Sequence, residues 1–248
     1  MKKQILLSTM LLIIIMLVSC RKKNDPKTNI KDDSKTTTVT DKDGNVYNTV
    51  TIGTQTWMSE NLKTSRYNDG TAIPLVTDAL AWETISTPGY CWYNNDAATY
   101  KNKYGALYNV YVVKTGKLAP TGWHIPTDAE WTTLDKYLTL NGYNYDGSTW
   151  ENKYVKSLAA TTGWMFDKYE GTVGNDLLKN NRTGFSALPG GYRCRSVFSQ
   201  EGTEGNWWSS SSYRGNTWYR EMSYNDRLFE RNYTCDASGF SVRCVRDN

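Results

Sequence analysis

The sequence predicts an α+β domain. Two helical patterns lie in its middle, short strand patterns precede and follow them, and no internal repeat divides the chain. Composition points the same way: 18 Tyr and 10 Trp far outnumber 5 Phe, so most aromatics carry an apolar body with a polar tip. That suits a folded domain with many turns. The 29 basic residues, less Lys2 and Lys3 in a segment expected to be removed, leave 27 against 25 acidic. No basic stripe runs through the body of the chain, so nucleic acid is excluded as a partner.

The first twenty residues define the compartment. A basic start at Lys2 and Lys3 leads into an apolar run from 5 to 18, closed by Leu17, Val18, Ser19 and Cys20. The run is too short and wrongly flanked for a spanning helix. A leader ending L-V-S-C resembles a bacterial lipoprotein signal, which implies cleavage after residue 19 and lipid attachment at Cys20. Several acyl chains would give stable anchoring, unlike one. By the same resemblance, Arg21 in place of Asp implies outer-membrane sorting, with the protein periplasmic or surface-exposed. Residues 20–40 are polar and read as a solvated tether; the domain is expected over 41–248.

Within the domain, Asp43 and Gly44 signal a turn, and Val46, Tyr47, Val50 and Ile52 mark a strand that returns at Gly53 and Thr54 through Thr56, Trp57 and Met58. Thr77 and Asp78 open a short helix holding Leu80, Ala81 and Trp82. Residues 90–93 form a short apolar run. Residues 104–113 are apolar on all sides and therefore buried, with a length that fits strand or helix equally.

The best-defined element follows a Gly122-Trp123 turn. Thr127 and Glu130 make a capping box, and Trp131, Leu134 and Leu138 give one apolar stripe to a helix from Asp128 to about Leu140. His124 beside the box is read as structural rather than catalytic. A second helix is expected over 150–160, with Trp150, Tyr154, Val155 and Leu158 on one face, stopped by Gly163. Beyond Trp164, turn signals recur every few residues, which predicts short strands and loops. The run 239–246 alternates Phe240, Val242 and Cys244 on one face, the pattern of a closing strand.

Residues 213–233 are rich in Tyr, Arg and Asn, types that supply rigid contact area and adaptable hydrogen bonds to recognition surfaces. The candidate ligand-binding residues are Tyr213, Arg214, Asn216, Tyr224, Asn225, Arg227, Phe229, Arg231, Asn232 and Tyr233, with Trp218 expected in the core. No carboxylate pair or metal-ligand cluster stands out, so no catalytic residue, metal or cofactor is expected. The turn pairs Asn175-Asp176 and Asn225-Asp226 offer oxygens, but Asn and Asp are ordinary turn residues. Four cysteines remain after Cys20. An even count in an exported chain suggests two disulfides, with three connectivities open; buried reduced thiols at Cys91 and Cys244 are the rival.

Several stretches together resemble one family. They are G-T-Q-T-W-M-S-E-N-L at 53–62, Y-C-W-Y-N-N-D at 90–96, the segment 123–131, G-F-S-A-L-P-G-G-Y at 184–192, W-W-S-S-S at 207–211 and the run 239–246. The combination is similar to the Fibrobacter succinogenes major paralogous domain. That family is thought to share the C-type-lectin-like fold with formylglycine-generating enzymes. The resemblance implies two helices flanking twisted antiparallel sheets, paired first and last strands, adjacent termini and long loops carrying any site. It also implies nested disulfides, Cys91–Cys244 outside and Cys194–Cys235 inside.

Calcium-dependent sugar binding in such folds uses Glu-Pro-Asn or Gln-Pro-Asp and Trp-Asn-Asp, none of which occurs here. The oxygen-using enzymes need two cysteines about four residues apart, also missing. Residues 213–233 lie where lectin-fold targets of diversity-generating retroelements carry their variable positions. The expectation is therefore a monomeric, lipid-anchored domain that binds an extracellular protein or glycan without catalysis. A structural or adhesive surface component is the alternative, and a formylglycine-generating-type oxidase comes third.

Overall fold

The computed structural model describes residues 37–234 and 237–247. The leader, Cys20, most of the tether and Cys235 lie outside the described residues. The fold is α+β, mostly curled antiparallel sheet with few helices.

The chain enters on β1 (Thr38–Thr40), which pairs with β2 (Val46–Ile52), so ordered sheet begins just before the expected start at 41. The hairpin to β3 (Gln55–Met58) forms as expected. Its turn needs Gly53: φ is +63°, and a Cβ would stand 2.7 Å from the Tyr137 ring. Helix α1 (Ala79–Thr84) is capped by Asp78, whose carboxylate accepts from Ala81 N, and is followed by β4 (Tyr90–Cys91) and α2 (Ala97–Tyr104). The ambiguous run 104–113 is both things. It starts as β5 (Leu107–Asn109), and Asn109 then accepts from Val112 N to cap α3 (Val110–Lys114).

After β6 (Trp123–His124) comes α4 (Asp128–Leu140), with both bonds of the capping box present. Thr127 Oγ accepts from Glu130 N at 3.2 Å, and Glu130 Oε2 accepts from Thr127 N at 2.8 Å. The second expected helix shrinks to one turn, α5 (Val155–Leu158), and Trp150 is 61% exposed. The cause is local. Asn144 Nδ2 donates to the carbonyls of Trp150 and Glu151 while its Oδ1 accepts from Lys153 N, and Glu151 takes a positive φ of 60°. A side chain thus takes up backbone groups that a helix would have used.

The remaining strands are β7 (Gly190–Cys194), β8 (Val197–Glu201), β9 (Glu204–Tyr213), β10 (Asn216–Ser223), β11 (Phe229–Thr234), β12 (Ser238–Phe240) and β13 (Val245–Arg246). One sheet runs β1-β2-β3-β13-β6, the other β11-β10-β9-β7-β12-β5-β4 with β8 against β7. The expected single closing strand is therefore two, one in each sheet. Phe240, Val242 and Cys244 are buried as the alternation suggests, but so are Ser241 and Arg243, because the crossing segment is enclosed on both sides. The last strand pairs with β3 and β6 rather than with the first.

Two large core clusters fill the molecule. One gathers Tyr47, Tyr108, Trp208, Phe240 and Cys244; the other packs Trp131, Leu134 and Leu138 of α4 on Trp57, Phe185, Trp207 and Phe229. Each such side chain contributes about 1.5–3 kcal/mol by burial. Fully buried Arg243 is satisfied without a carboxylate: its guanidinium lies over the Phe185 ring and donates to Asn61 Oδ1 and to the Phe185 carbonyl. Cys91 and Cys244 are both buried free thiols here, Cys244 in the first cluster and Cys91 in a third, smaller one with Trp82, Tyr93 and Leu107. Burial pushes the Cys91 thiol up to about 12, with Arg193 opposing.

Candidate functional site

The candidate residues lie on the three-stranded meander of β9, β10 and β11. Its first hairpin is tight: Tyr213 pairs with Asn216 across Arg214 and Gly215, whose φ values of 49° and 86° are both positive. That is the requirement of a turn whose twist matches the strands. One step further the ladder is interrupted, because Thr217 pairs with Ser212 whereas Tyr219 pairs with Trp208. Residues 209–211 bulge out and bind the start of α4 instead. Ser210 N donates to the Pro126 carbonyl and Asp128 N donates to Ser211 Oγ.

Opposite the bulge stands Trp218. It is half-buried on the surface rather than in the core, which corrects the expectation. Its ring centroid lies 5.0 Å from that of Tyr213 and 5.3 Å from that of Tyr233, and the last two are 5.6 Å apart. The Arg231 guanidinium lies 3.6 Å over the Trp218 ring, and Arg214 lies 5.2 Å over Tyr213. Three mutually packed rings with two cations form one exposed platform.

The platform is anchored from below. Arg231 holds Asp128 through Nε at 2.8 Å and Nη2 at 2.7 Å, a two-pronged pair, and fully buried Arg220 adds a third bond at 2.9 Å. Burial alone would raise the Asp128 carboxyl; the two guanidiniums outweigh it and hold the group below its ordinary range. Asp135, two turns along the same face of α4, accepts from Tyr154 Oη at 2.6 Å and is pushed up to about 6, chiefly by burial. The first turn of α4 thus fixes the orientation of Arg231, and Arg231 fixes Trp218. A stacked, bidentate Arg keeps little freedom to lose on binding.

The other candidate residues are elsewhere. Phe229 is 6% exposed and packs on Trp131 and Trp207, so it is a core residue. It faces inward because β11 puts it opposite Met222, on the side covered by α4. Tyr224 is part-buried against the same cluster. Asn225 and Arg227 line a separate cleft of about 810 Å³ with Tyr169 and Lys153, where Arg227 donates to the Glu170 carbonyl at 2.8 Å. Asn232 points to the opposite face of the ribbon, donating to Glu230 at 3.2 Å. Of the ten residues, the structure gathers Tyr213, Arg214, Arg231 and Tyr233, with Asn216 at the turn.

Sequence reasoning missed Trp218 and Asp128. The register could have found Trp218, since it shares a strand face with Arg220 and Met222 but lies nearer the hairpin end. His124 is structural in its contacts: Nδ1 meets Asp247 at 2.6 Å and Nε2 meets Glu130 at 2.7 Å. Among the described residues, no group of three or more His, Cys, Asp or Glu is placed to hold a metal ion.

This is a mostly antiparallel α+β domain that displays an aromatic and arginine platform on an edge ribbon. The chain belongs to the Fibrobacter succinogenes major domain family, whose pattern matches residues 50–246. A search of curated proteins and a search of solved structures each found no match.

Proposed function

We propose that this protein is a lipid-anchored lipoprotein whose C-type-lectin-like domain binds an extracellular protein or glycan, without catalysis, through the β9–β11 platform. The observation that carries this reading is the exposed cluster of Tyr213, Trp218 and Tyr233 with Arg231 stacked on Trp218. Large rigid aromatics and Arg dominate binding hot spots because they fill area at low entropic cost. The lectin-like reading is supported by the curled antiparallel sheets, with the first and last described strands in one five-stranded sheet. The lipid anchor rests on the L-V-S-C ending at Cys20.

Two experiments test this. The full-length chain, presented to glycan and surface-protein arrays, is expected to bind a limited set of targets, and Trp218→Ala is expected to lose them; binding unaffected by that change would refute the platform. Cys20→Ser is expected to move the protein from the detergent phase to the aqueous phase. Unchanged partitioning would refute the anchor.

A further inference from the structure

The reverse face of the same ribbon carries a recess of different chemistry. A recess of about 280 Å³ opens between β7, β9, β10 and β12, lined by Tyr192, Glu204, Asn206, Tyr219, Glu221 and Phe240. Its chemistry is one-sided. Glu204 and Glu221 are both half-buried, and no lysine or arginine lines the recess among the described residues. Three aromatic rings wall it: Tyr219 and Tyr192 meet Phe240 with centroids 4.6 Å and 6.0 Å apart. Tyr219 Oη donates to Glu221 Oε2 at 3.2 Å, which turns that carboxylate along the wall.

Burial first, and the Glu221 carboxylate second, push Glu204 above the ordinary range against a bond from Asn206; at Glu221 burial, with Glu230, outweighs the bonds from Tyr219 and Asn232. Two acids gathered this way repel each other and lack a counter-charge. A second observation concerns a neutral donor beside the charges. Asn206 is 2% exposed and lines the recess; its amide draws the Glu204 carboxyl down against burial, and its buried Nδ2 makes no close hydrogen bond. A buried amide donor left unpaired costs about 1–3 kcal/mol.

We propose that this recess binds an alkylammonium or guanidinium group carrying a neighbouring oxygen acceptor, as a lysine or arginine does. The cation would lie among the rings of Tyr192, Tyr219 and Phe240 and between the two carboxylates, where ring quadrupoles and negative charge act together. The adjacent oxygen would accept from Asn206 Nδ2. The Arg-bearing platform on the other face has the opposite chemistry, so the two faces take different ligands.

Calorimetric titration of the full-length chain tests this with three probes: N-acetyl-lysine methylamide, its uncharged counterpart N-acetyl-norleucine methylamide, and free L-lysine. The blocked lysine is expected to bind at least tenfold more tightly than the norleucine compound. Glu204→Gln and Glu221→Gln, which keep shape and remove charge, are each expected to weaken it tenfold or more with an unchanged near-ultraviolet circular dichroism spectrum. Equal binding of blocked and free lysine would identify a partner's side chain as the source; tenfold preference for free lysine would identify a soluble amino acid. Amide shifts in the wild-type protein should centre on β7, β9, β10 and β12. Equal affinity for charged and uncharged probes, no binding at millimolar concentration, undiminished binding by the folded Gln variants, or shifts confined elsewhere would each overturn the proposal.

Discussion

At the scale of single residues, Glu130 ties the helix start to the strand before it. Its Oε2 accepts from the Thr127 backbone and hydroxyl, and its Oε1 meets His124. Thr127→Ala removes the cap and is expected to cost about 0.5–2 kcal/mol in denaturant unfolding, with ligand binding unchanged. His124 adds a pH dependence whose sign is fixed. Burial opposes its charged form, but the bonds to Asp247 and Glu130 outweigh burial and raise its pKa above 6.5. Burial likewise opposes ionised Glu130, and the Thr127 bonds outweigh it, lowering that group below 4.5.

A raised histidine contributes fully below its unfolded value and fades as pH rises through its folded one; a lowered carboxylate contributes fully above its unfolded value. The cluster is therefore expected to stabilise most between about pH 4.5 and 6.5. The destabilisation of His124→Gln should be largest near pH 5.5 and shrink by pH 9. A loss that stays constant over that range would contradict the linkage.

At the scale of elements, sequence patterns worked where the chain makes its own structure. The α4 span, its cap and the β2–β3 hairpin were legible because turn chemistry, capping and periodicity agree there. They failed where a distant or lateral group decides the outcome. Asn144 dissolves the helix expected over 150–160, and α4 covers only one end of the β11 face that carries Phe229, Arg231 and Tyr233, so Phe229 is buried while Tyr233 stays exposed. That partition is measurable. Phe229→Ala is expected to cost about 3–5 kcal/mol, a core truncation. Tyr233→Ala, 53% exposed and touching only surface rings, should cost about 1 kcal/mol or less. Similar losses at both positions would show that the cover of α4 does not end between them.

At the scale of the whole molecule, the class of fold was legible but its closure was not. Period-2 alternation in 239–246 says that Phe240, Val242 and Cys244 share a face; it cannot say that the strand leaves one sheet for another in between. Nor can spacing place Cys91 and Cys244 in different core clusters. The aromatic and arginine platform was legible in composition but not in register, because Tyr, Arg and Asn mark exposure without saying which residues share a face.

The molecule that results has a packed core, one long capped helix and an edge ribbon whose helix-facing side is held by that helix through Asp128 and Arg231. The most direct measurement is ligand affinity in matched variants of the full-length chain, using a target recovered from the arrays. Trp218→Ala and Arg231→Ala are expected to weaken binding at least tenfold, while Arg227→Ala, in the separate cleft, and His124→Ala leave it within about twofold, each fold-change being RT times its logarithm in free energy. Full affinity in Trp218→Ala and Arg231→Ala, or loss in Arg227→Ala alone, would contradict a recognition surface on the β9–β11 platform.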